Sequence, residues 1–491
     1  MRKIVTDINS VKGTLDRYFA ECIGAGRAAE VMRHVPHEQL RTLQDECHFN
    51  YIRFHGLFHD EMAVVSRNES GELSFNFQYV DMLFDALLEL DIRPIVELGL
   101  MPVALSSEDA TVFWWKMNKS KPKDIKEWYA LVFATVSHFS ERYGQKEVEK
   151  WYFEVWNEPN HKSFFTDYIR PNAYFEIYSA AANAVKAVSK SFKVGGPSAA
   201  GQIWVRELIE HCKATDTAID FISTHQYCVK GAFDADGKAA TQMQPIDLFV
   251  DNIAKTSKVC REFGLPFIMT EWSASYSSRD PVHDSYYSAP FILETIKRCE
   301  GMLEMMSYWV YTDVFEEVAP PSELFHGGFG LFTVRSVRKP AYHAYRFLCS
   351  LADTELKSND EHSYVCLGDG KLQILAWNHE TPPVETTNKE FFGKPYETTK
   401  ISDTEFEVNG LPSSHTYTVT VETVGYGMGD CKTAYLESGF GKDPTREETA
   451  RLTELSKPKQ CELTVTTDEC GKLAFSLPAT VNQVDFITVK L

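Results

Sequence analysis

"WYFEVWNEPN", from Trp151 to Asn160, is an apolar and aromatic run that ends on adjacent Asn, Glu and Pro residues. Its pattern predicts a buried strand over residues 151–157, with Glu158 at the strand tip. Burying a charged carboxylate costs several kcal/mol unless the site supplies a partner or a use for it. The rest of the chain must therefore provide one of the two.

Between residues 18 and 350, short β-rich runs alternate with amphipathic helical patterns, which is typical of βα units. The helical patterns include residues 79–91 and 124–144, the second closing on Gly144. Eight strands are predicted, at residues 19–24, 51–56, 93–100, 151–157, 193–198, 221–227, 266–272 and 305–311. Eight such units predict an α/β fold, a (β/α)8 TIM barrel, whose active residues gather at the carboxyl ends of the strands.

From about residue 355 the apolar residues alternate with period two, which predicts an additional all-β sandwich domain with antiparallel strands. One helix over residues 443–458 should interrupt it, with Asp443 as its N-cap. We expect residues 15–350 to form the catalytic barrel, and residues 351–491 with residues 1–14 to form the accessory domain. The alternation favours packing against the barrel as the role of this domain and leaves sugar binding open.

Composition excludes several classes of partner. The 50 basic and 69 acidic residues give a net charge of −19, which disfavours nucleic acid and anionic lipid. The N-terminus lacks the apolar core of a signal peptide and no run of about 18 apolar residues occurs, so we expect a cytoplasmic protein without membrane contact. The eleven Cys residues form no CxxC pair, which indicates reduced thiols and neither a disulfide framework nor a zinc knuckle.

Two further motifs are weak. "GAGRAA" (24–29) matches a dinucleotide-binding fingerprint, but a doubly wound domain would need a segment that the eightfold count already uses. "FHGLFHDEM" (54–62) clusters His and acidic residues without a recognised metal-ligand spacing, so a metal site is the minority interpretation. We expect His55 to hydrogen-bond a ligand at its strand tip, and we expect no metal and no cofactor.

The tips of the predicted strands carry polar or aromatic residues after apolar interiors. Glu158 ends the fourth strand and Glu271 ends the seventh, in "MTEW". Cleaving a glycosidic bond needs one carboxylic acid to protonate the leaving oxygen and a second carboxylate at the anomeric carbon. Two Glu residues on these tips would lie about 5 to 5.5 Å apart, which is the retaining geometry. Asn157 is placed to hydrogen-bond the sugar 2-hydroxyl.

These residues carry a family resemblance. The chain resembles clan A glycoside hydrolases, and within them glycoside hydrolase family 39, the family of β-xylosidases and α-L-iduronidases. The segments that carry the resemblance span nearly the whole chain: "IGAGRAAEVMR" (23–33), "YIRFHGLFHDEM" (51–62), "RPIVELGLMP" (93–102), "FEVWNEPN" (153–160), "FISTHQY" (221–227), "IMTEWSASY" (268–276) and "DVFEE…FHGGFGL" (313–331). The last segment is more similar to the β-xylosidase branch.

The resemblance implies a role for each matching position. Glu158 matches the acid/base and Glu271 the nucleophile. Four positions match residues that contact the sugar at the reacting subsite: His55, Asn157, His225 and Tyr227. Three more match positions that close this subsite, with the choice between the two acids left open: Trp309, Glu316 and Glu317.

The resemblance leaves the substrate and the assembly open. The family pattern "EFNTSY" is "EWSASY" here, so Trp272 and Ser273 replace Phe and Asn. The alternatives are a β-glucosidase, β-galactosidase, α-L-arabinosidase or α-L-iduronidase, or a carbohydrate-binding protein without activity. An iduronidase is disfavoured because a uronate calls for a well-placed basic residue, and we expect no basic cluster at the rim. The expected partner is a small carbohydrate such as a xyloside or oligosaccharide; a homodimer or homotetramer also remains open.

Overall fold

The structure, a computed structural model, describes residues 2–234, 236–383 and 385–491. Its strands are β1 (Lys3–Thr14), β2 (Cys22–Arg27), β3 (Tyr51–His55), β4 (Val65–Arg67), β5 (Leu73–Phe75), β6 (Arg93–Leu98), β7 (Thr111–Val112), β8 (Met117–Asn118), β9 (Tyr152–Val155), β10 (Lys193–Ala200), β11 (Phe221–Tyr227), β12 (Val229–Phe233), β13 (Ala239–Met243), β14 (Phe267–Ser273), β15 (Met305–Tyr308), β16 (Thr354–Ser358), β17 (Ser363–Gly368), β18 (Lys371–Trp377), β19 (Lys400–Asn409), β20 (Thr416–Val424), β21 (Lys459–Thr466), β22 (Leu473–Thr480) and β23 (Val484–Lys490).

The α-helices are α1 (Ala28–Val31), α2 (His34–Cys47), α3 (Gln78–Glu89), α4 (Ile125–Tyr143), α5 (Gln145–Val148), α6 (Pro171–Val188), α7 (Val205–Thr215), α8 (Ile246–Phe263), α9 (Ser288–Cys299), α10 (Pro340–Ser350), α11 (Asn388–Phe392), α12 (Cys431–Ser438) and α13 (Arg446–Leu455). Short 3-10 helices cover Tyr18–Ala20, Asp60–Met62, Val103–Leu105 and Pro281–Asp284. No helix in the described ranges combines the length and apolarity that crossing a membrane would require.

Eight parallel strands close into a barrel in the order β2, β3, β6, β9, β10, β11, β14, β15 and back to β2. They correspond to the eight predicted segments, so the expected (β/α)8 barrel is confirmed. The first strand begins at Cys22 rather than at residue 19, because the preceding residues form a buried 3-10 turn. The Asp16 carboxylate accepts a hydrogen bond from the Tyr18 N–H at 3.1 Å, which favours this turn over an extended strand.

The additional β domain is built on one nine-stranded sheet, in the order β21, β20, β23, β18, β17, β16, β1, β19, β22. Its edge strands β21 and β22 contact each other, so the sheet folds around one apolar core. The neighbouring strands are antiparallel except β1 and β19, which run parallel, in contrast to the expected antiparallel pattern. The expected β domain is confirmed, while its boundaries at residues 15 and 350 stay a prediction.

The predicted helix at 443–458 is α13, but the expected N-cap is wrong. Thr445 caps it: the Thr445 hydroxyl accepts from the Glu448 N–H at 3.3 Å, and the Glu448 carboxylate accepts from the Thr445 N–H at 2.7 Å. This reciprocal pair satisfies two otherwise unbonded donors, which a lone Asp443 cannot do. Asp443 instead pairs with Arg335 at 2.6 Å.

The barrel and the β domain share one buried apolar core. Tyr18 and Ile296 of the barrel belong to the same cluster as Trp377 and Phe486 of the sheet. The Trp377 indole N–H also donates to Glu294 of α9 at 2.9 Å. The sheet therefore packs against the barrel with one face, through residues such as Trp377 and Phe486, while alternate residues such as Ile374 and Ile487 enter its own core.

Candidate active site

A cavity of about 610 Å³ opens at the carboxyl ends of the barrel strands. Seven of the nine residues predicted for the site line it: His55, Asn157, Glu158, Tyr227, Glu271, Trp309 and Glu317. His225 is buried in contact with both catalytic candidates, and Glu316 lies outside the cavity lining. The remaining lining residues come from the strand ends and loops around the rim: His161, Phe164, Ala200, Gly201, Gln226, Val229, Gln244, Tyr276 and Phe329.

Glu158 reaches the cavity through a sharp turn after β9. Trp156 and Glu158 both have positive φ angles, of 73° and 43°, which non-glycine residues rarely adopt. Backbone bonds to both neighbouring strands hold this turn: the Trp156 N–H donates to Leu98 at 2.9 Å and the Glu158 N–H donates to Ser198 at 2.8 Å. The neighbouring strands thus compensate the cost of the turn.

One carboxylate oxygen of Glu158 and one of Glu271 lie within 4.8 Å of each other. Retaining glycosidases keep their two carboxyl groups about 5–5.5 Å apart, whereas inverting enzymes keep them about 6.5–9.5 Å apart to admit a water. The spacing of this pair therefore fits the retaining reaction.

Arg53, in the middle of β3, is fully buried beneath the cavity and binds three carboxylates. Its guanidinium lies 2.8 Å from Glu97 and 2.9 Å from Glu154, and it donates directly to Glu271. It also donates to the Asn157 side-chain oxygen at 2.9 Å. Because buried charges are stable only when paired, this cation is what permits so many carboxylates inside the barrel.

The two catalytic candidates differ in their electrostatic surroundings. Burial raises the pKa of Glu158 well above its usual range, and the neighbouring Glu271 charge raises it further. Burial also raises the pKa of Glu271, but the Arg53 charge, His55 and the Tyr227 hydrogen bond oppose that shift. The pair therefore loses its first proton from Glu271 and keeps the second on Glu158.

A hydrogen-bond relay beneath the cavity indicates the same proton position. The Thr270 hydroxyl donates to Glu154 at 2.7 Å, so its oxygen accepts from His225 Nε2 at 3.2 Å. Burial lowers the pKa of His225 well below its usual range, so the ring is neutral and Nδ1 carries a lone pair. Nδ1 lies 2.9 Å from the Glu158 carboxyl, and a proton on Glu158 completes the bond.

The other predicted residues surround Glu271. The Tyr227 hydroxyl donates to its carboxylate at 2.7 Å. His55 Nδ1 binds Glu97 at 2.7 Å, while its Nε2 lies 3.6 Å from Glu271. Burial lowers the pKa of His55 to about 3, so its ring is neutral. The Trp309 ring lies 4.8 Å from the His55 ring, between centroids.

The structure distinguishes the two acids that the sequence could not. Glu317 lines the cavity, and burial together with the Glu271 charge raises its pKa well above the usual range. The Glu316 carboxylate instead binds Arg27 at 2.9 Å and Arg33 at 2.5 Å. Glu316 therefore anchors the loop that carries Glu317, rather than facing the cavity.

The two weak motifs have structural explanations. A Cβ atom on Gly24 would lie 2.7 Å from the Trp309 side chain, so this glycine permits close packing beside the cavity. Of the "FHGLFHDEM" cluster, His55 enters the cavity, whereas His59 lies 3.2 Å from Glu61 outside it. The cluster is thus divided between two environments.

Glu158, His225 and Glu271 offer three atoms close enough for a metal ion. Two features of the site disfavour that use. The Arg53 guanidinium already balances the charge of Glu271, and both ring nitrogens of His225 are engaged in hydrogen bonds. These contacts fit a proton-transfer site better than a cation site.

A family model described as Glycosyl hydrolases family 39 matches residues 2–474. The chain belongs to glycosyl hydrolase family 39. A β-xylosidase of Caldicellulosiruptor saccharolyticus is 34% identical over 99% of this chain and 98% of its own length. A solved GH39 enzyme of Xanthomonas axonopodis pv. citri has a TM-score of 0.95 at 35% identity, covering 100% of this chain and 97% of that chain. A solved monomeric β-xylosidase of Caulobacter crescentus has a TM-score of 0.94 at 36% identity, covering 100% and 99%.

Membership of family 39 makes the chain a retaining glycosidase. The sequence pattern predicts the residues at the strand tips but not three residues of the layer below them: Arg53, Glu154 and Thr270. A signal was present for Arg53, because a charged residue in the middle of "YIRFHG" contradicts an apolar barrel interior. The same applies to Glu154 in the middle of "WYFEVWN".

Replacing Arg53 by Met should lower the free energy of unfolding by about 3–5 kcal/mol at pH 7, because Glu97, Glu154 and Glu271 lose their shared cation. Burial already raises the pKa values of Glu97 and Glu271 above the unfolded values, and without Arg53 they rise further, so the penalty applies at high pH and is relieved as the pH falls and these two groups take up protons. The loss should therefore be smaller at pH 5. Urea unfolding at the two pH values measures it.

The matched control is Arg206→Met, because Arg206 forms a half-exposed surface pair with Glu262 at 2.6 Å. This variant should lose less than about 1 kcal/mol at either pH. A loss in Arg53→Met as small as that of the control, or equal at both pH values, would contradict the role of Arg53.

Proposed function

We propose that the chain is a retaining β-xylosidase that releases terminal β-D-xylose from β-xylosides and xylo-oligosaccharides. The main support for this proposal is the Glu158–Glu271 pair in the cavity at the carboxyl ends of the strands. One carboxylate oxygen of Glu158 lies within 4.8 Å of one of Glu271. The choice of xylose is supported by relatives named β-xylosidase, including one of Geobacillus stearothermophilus that is 37% identical over 73% of each chain.

In the first step Glu271 attacks the anomeric carbon and forms an ester bond to the sugar. Glu158 gives its proton to the glycosidic oxygen as the bond from that oxygen to the anomeric carbon breaks, so the leaving group departs as a neutral alcohol. The Tyr227 hydroxyl and the Arg53 guanidinium hold Glu271 in position for the attack. Their hydrogen bonds also favour the ionised form that the attack needs.

In the second step Glu158, now a carboxylate, removes a proton from a water molecule that attacks the same carbon. The ester to Glu271 breaks, xylose leaves with retained configuration, and Glu158 has regained its proton. The Nδ1 lone pair of His225, 2.9 Å from Glu158, supports the protonated form at the start of each cycle.

The surrounding residues bind the sugar in this proposal. The Asn157 side-chain oxygen accepts a hydrogen bond from Arg53, so the Asn157 amide N–H groups donate to the 2-hydroxyl of the sugar. Glu97 binds His55 at Nδ1, so Nε2 faces the sugar hydroxyls. The Glu317 carboxylate lies 3.9 Å from His55 Nε2, and the Trp309 ring also lines the cavity. Every step uses protein side chains and water alone.

A panel of nitrophenyl glycosides tests the choice of sugar. We expect the β-D-xyloside to have the highest kcat/KM among the β-D-xyloside, β-D-glucoside, β-D-galactoside and α-L-arabinoside, with an aryl α-L-iduronide as a fifth substrate. Another preferred sugar would replace xylose in the proposal, and binding without turnover would favour the carbohydrate-binding alternative. The cytoplasmic location and the homodimer or homotetramer stay predictions.

Replacing Glu271 by Ala should lower turnover of 4-nitrophenyl β-D-xyloside by about 10⁵-fold or more, because no ester can form. Azide should restore turnover and yield the α-xylosyl azide, since it attacks from the face that Glu271 vacated. NMR of the product measures the configuration. Glu304→Ala, an exposed Glu just before β15 at the opposite end of the barrel, should keep full activity. Retained turnover in Glu271→Ala would refute the nucleophile assignment.

Replacing Glu158 by Ala should affect substrates according to their leaving groups. The 2,4-dinitrophenyl xyloside needs little protonation, so formation of its glycosyl ester should stay fast. Xylobiose, with its poor leaving group, should lose about 10²–10⁴-fold in kcat/KM. Burst kinetics with the first substrate and steady-state assays with the second separate the two steps. An equal loss for both would argue against the acid role.

Replacing Thr270 by Val and Ser198 by Ala together should move the alkaline limb of the pH profile to lower pH by about one unit. The double variant lacks both hydroxyl oxygens near His225 Nε2, that of Thr270 at 3.2 Å and that of Ser198 at 3.1 Å, so His225 can shift its proton to Nδ1 and stabilise the Glu158 carboxylate. A protonated acid is lost as the pH rises through its pKa, so a lower pKa means earlier loss of activity. Plots of kcat/KM against pH measure the limb. Thr270→Ser keeps both hydroxyls and should keep the wild-type limb; an unmoved limb in the double variant would contradict the relay.

A further inference from the structure

A second cavity of about 320 Å³ adjoins the active-site cavity, and Tyr276 lines both. One wall is residues 239–241 of β13, and another is the loop from Ser277 to Pro281 that follows β14. Lys389 of α11 comes from the β domain. Residues of both the barrel and the β domain therefore line the second cavity.

Arg279 gives this second cavity an unneutralised positive charge. Of its five N–H groups, one donates to the Ser278 carbonyl at 3.3 Å and one to the Ala319 carbonyl at 2.7 Å. The other three have no acceptor within hydrogen-bonding distance among the described residues, and no described carboxylate lies within 4.0 Å of the guanidinium. Half-buried guanidinium groups are commonly matched by a carboxylate or phosphate.

The nearby acids do not fill that role. Asp284 and Asp313 each bind the buried Lys339 ammonium at 2.6 Å. Asp280, which lines the second cavity, accepts hydrogen bonds from the side chains of Thr241 and Asn388. Lys339 thus neutralises Asp284 and Asp313, and Asp280 forms no described ion pair with Arg279, so Arg279 and Lys389 give the second cavity two cations against one carboxylate.

Lys389 adds a second positive charge at the mouth. Its only described ion pair is with Asp234, at 3.6 Å, and its side chain is 68% exposed. Such an exposed, loosely held pair is worth little, so the ammonium can turn toward a ligand at small cost. The prediction from the sequence that no basic cluster lies at the rim is wrong, because Arg279 and Lys389 both line the second cavity. They are 110 positions apart in the chain, and only the fold brings them together.

Tyr276 lies between the positively charged second cavity and the catalytic residues. It is half exposed and packs edge-on against Tyr227, with ring centroids 6.4 Å apart. Tyr227 in turn donates to Glu271 at 2.7 Å. A ring in this position is available to stack on the sugar next to the one being cleaved.

We propose that the second cavity binds a carboxylate-bearing sugar in the leaving group of the substrate. Arg279 and Lys389 hold its carboxylate, and Tyr276 stacks on the sugar that connects it to the cleaved bond. This inference rests on the proposed xylosidase function, because it extends the substrate of the same site. The proposal implies that the protein prefers branched oligosaccharides with an acidic sugar to neutral ones.

The test compares two oligosaccharides that differ only in charge. One is xylotriose with glucuronic acid on its middle xylose, and the other is the methyl ester of the same molecule. The ratio of their kcat/KM values for release of the terminal xylose should fall about tenfold in Arg279→Gln and about threefold in Lys389→Gln. Arg279→Lys should keep the ratio within about threefold, because it keeps the charge.

Arg206→Gln, a basic residue on α7 in a surface pair, is the matched control and should show the wild-type ratio. If Arg279→Gln does not fold, the exposed Lys389 still gives a variant that tests the proposal. A ratio that is the same in the wild type, Arg279→Gln and Lys389→Gln would overturn it.

Two further measurements separate this inference from the proposed function. If the wild type cleaves neither 4-nitrophenyl β-D-xyloside nor xylotriose, the xylosidase proposal fails. If it cleaves both and the acid-to-ester ratio does not depend on Arg279 or Lys389, only the second-cavity proposal fails. Calorimetric Kd values for the acid and the ester on Glu271→Ala, before and after adding Arg279→Gln, test the cavity without turnover: an unchanged Kd ratio overturns the proposal.

Discussion

The buried guanidinium of Arg53 is the interaction on which the site depends. It lies inside the barrel, fully shielded from solvent, in contact with Glu97, Glu154 and Glu271. Removing an ion from water costs several kcal/mol, and one cation shared by several acids spreads its stabilisation over all of them. Without it burial would raise the pKa of Glu271 further, and no ionised nucleophile would be available at neutral pH.

The same cation differentiates two chemically identical side chains. Arg53 touches Glu271 directly, but it reaches Glu158 through His225, by way of either Glu154 and Thr270 or Ser198. The direct contact favours the ionised form of Glu271. The relay instead ends in the Nδ1 lone pair of His225, which favours the protonated form of Glu158. Pairs of titratable groups whose surroundings separate their pKa values are the pattern by which acid and base roles are recognised. Here one arginine produces both halves of that pattern.

The sequence could predict the barrel and its rim because both leave local signals. Alternating βα patterns mark the strands, and Glu158 and Glu271 follow apolar runs. The pairing of residues beneath the cavity leaves none, since the contact from Arg53 to Glu271 joins residues 218 positions apart. Glu316 and Glu317 are adjacent and chemically equal, and only the distant Arg27 and Arg33 determine which one faces away. The N-cap of α13 was missed because Thr445 acts together with Glu448, which the single-residue rule for Asp443 ignores.

The arrangement of a shared buried cation recurs at the loop after β15. Lys339 lies 2.6 Å from both Asp284 and Asp313. These carboxylates accept the N–H groups of Gly327 and Gly330, each at 2.7 Å, and so fix the segment that carries Phe329 into the cavity.

At the amino ends of the strands the barrel interior is instead an apolar layer, formed by Cys22, Ile95, Phe221, Ile268 and Met305. Apolar packing suffices where ladder hydrogen bonds already fix the backbone. Loops at the opposite end lack those ladders, and buried ion pairs, which are directional and costly to break, hold them in place. Arg53, Glu97 and Glu154 lie on the strands themselves, where the ladders already fix the backbone, so their charges beneath the cavity serve the reaction at this end of the barrel rather than the backbone.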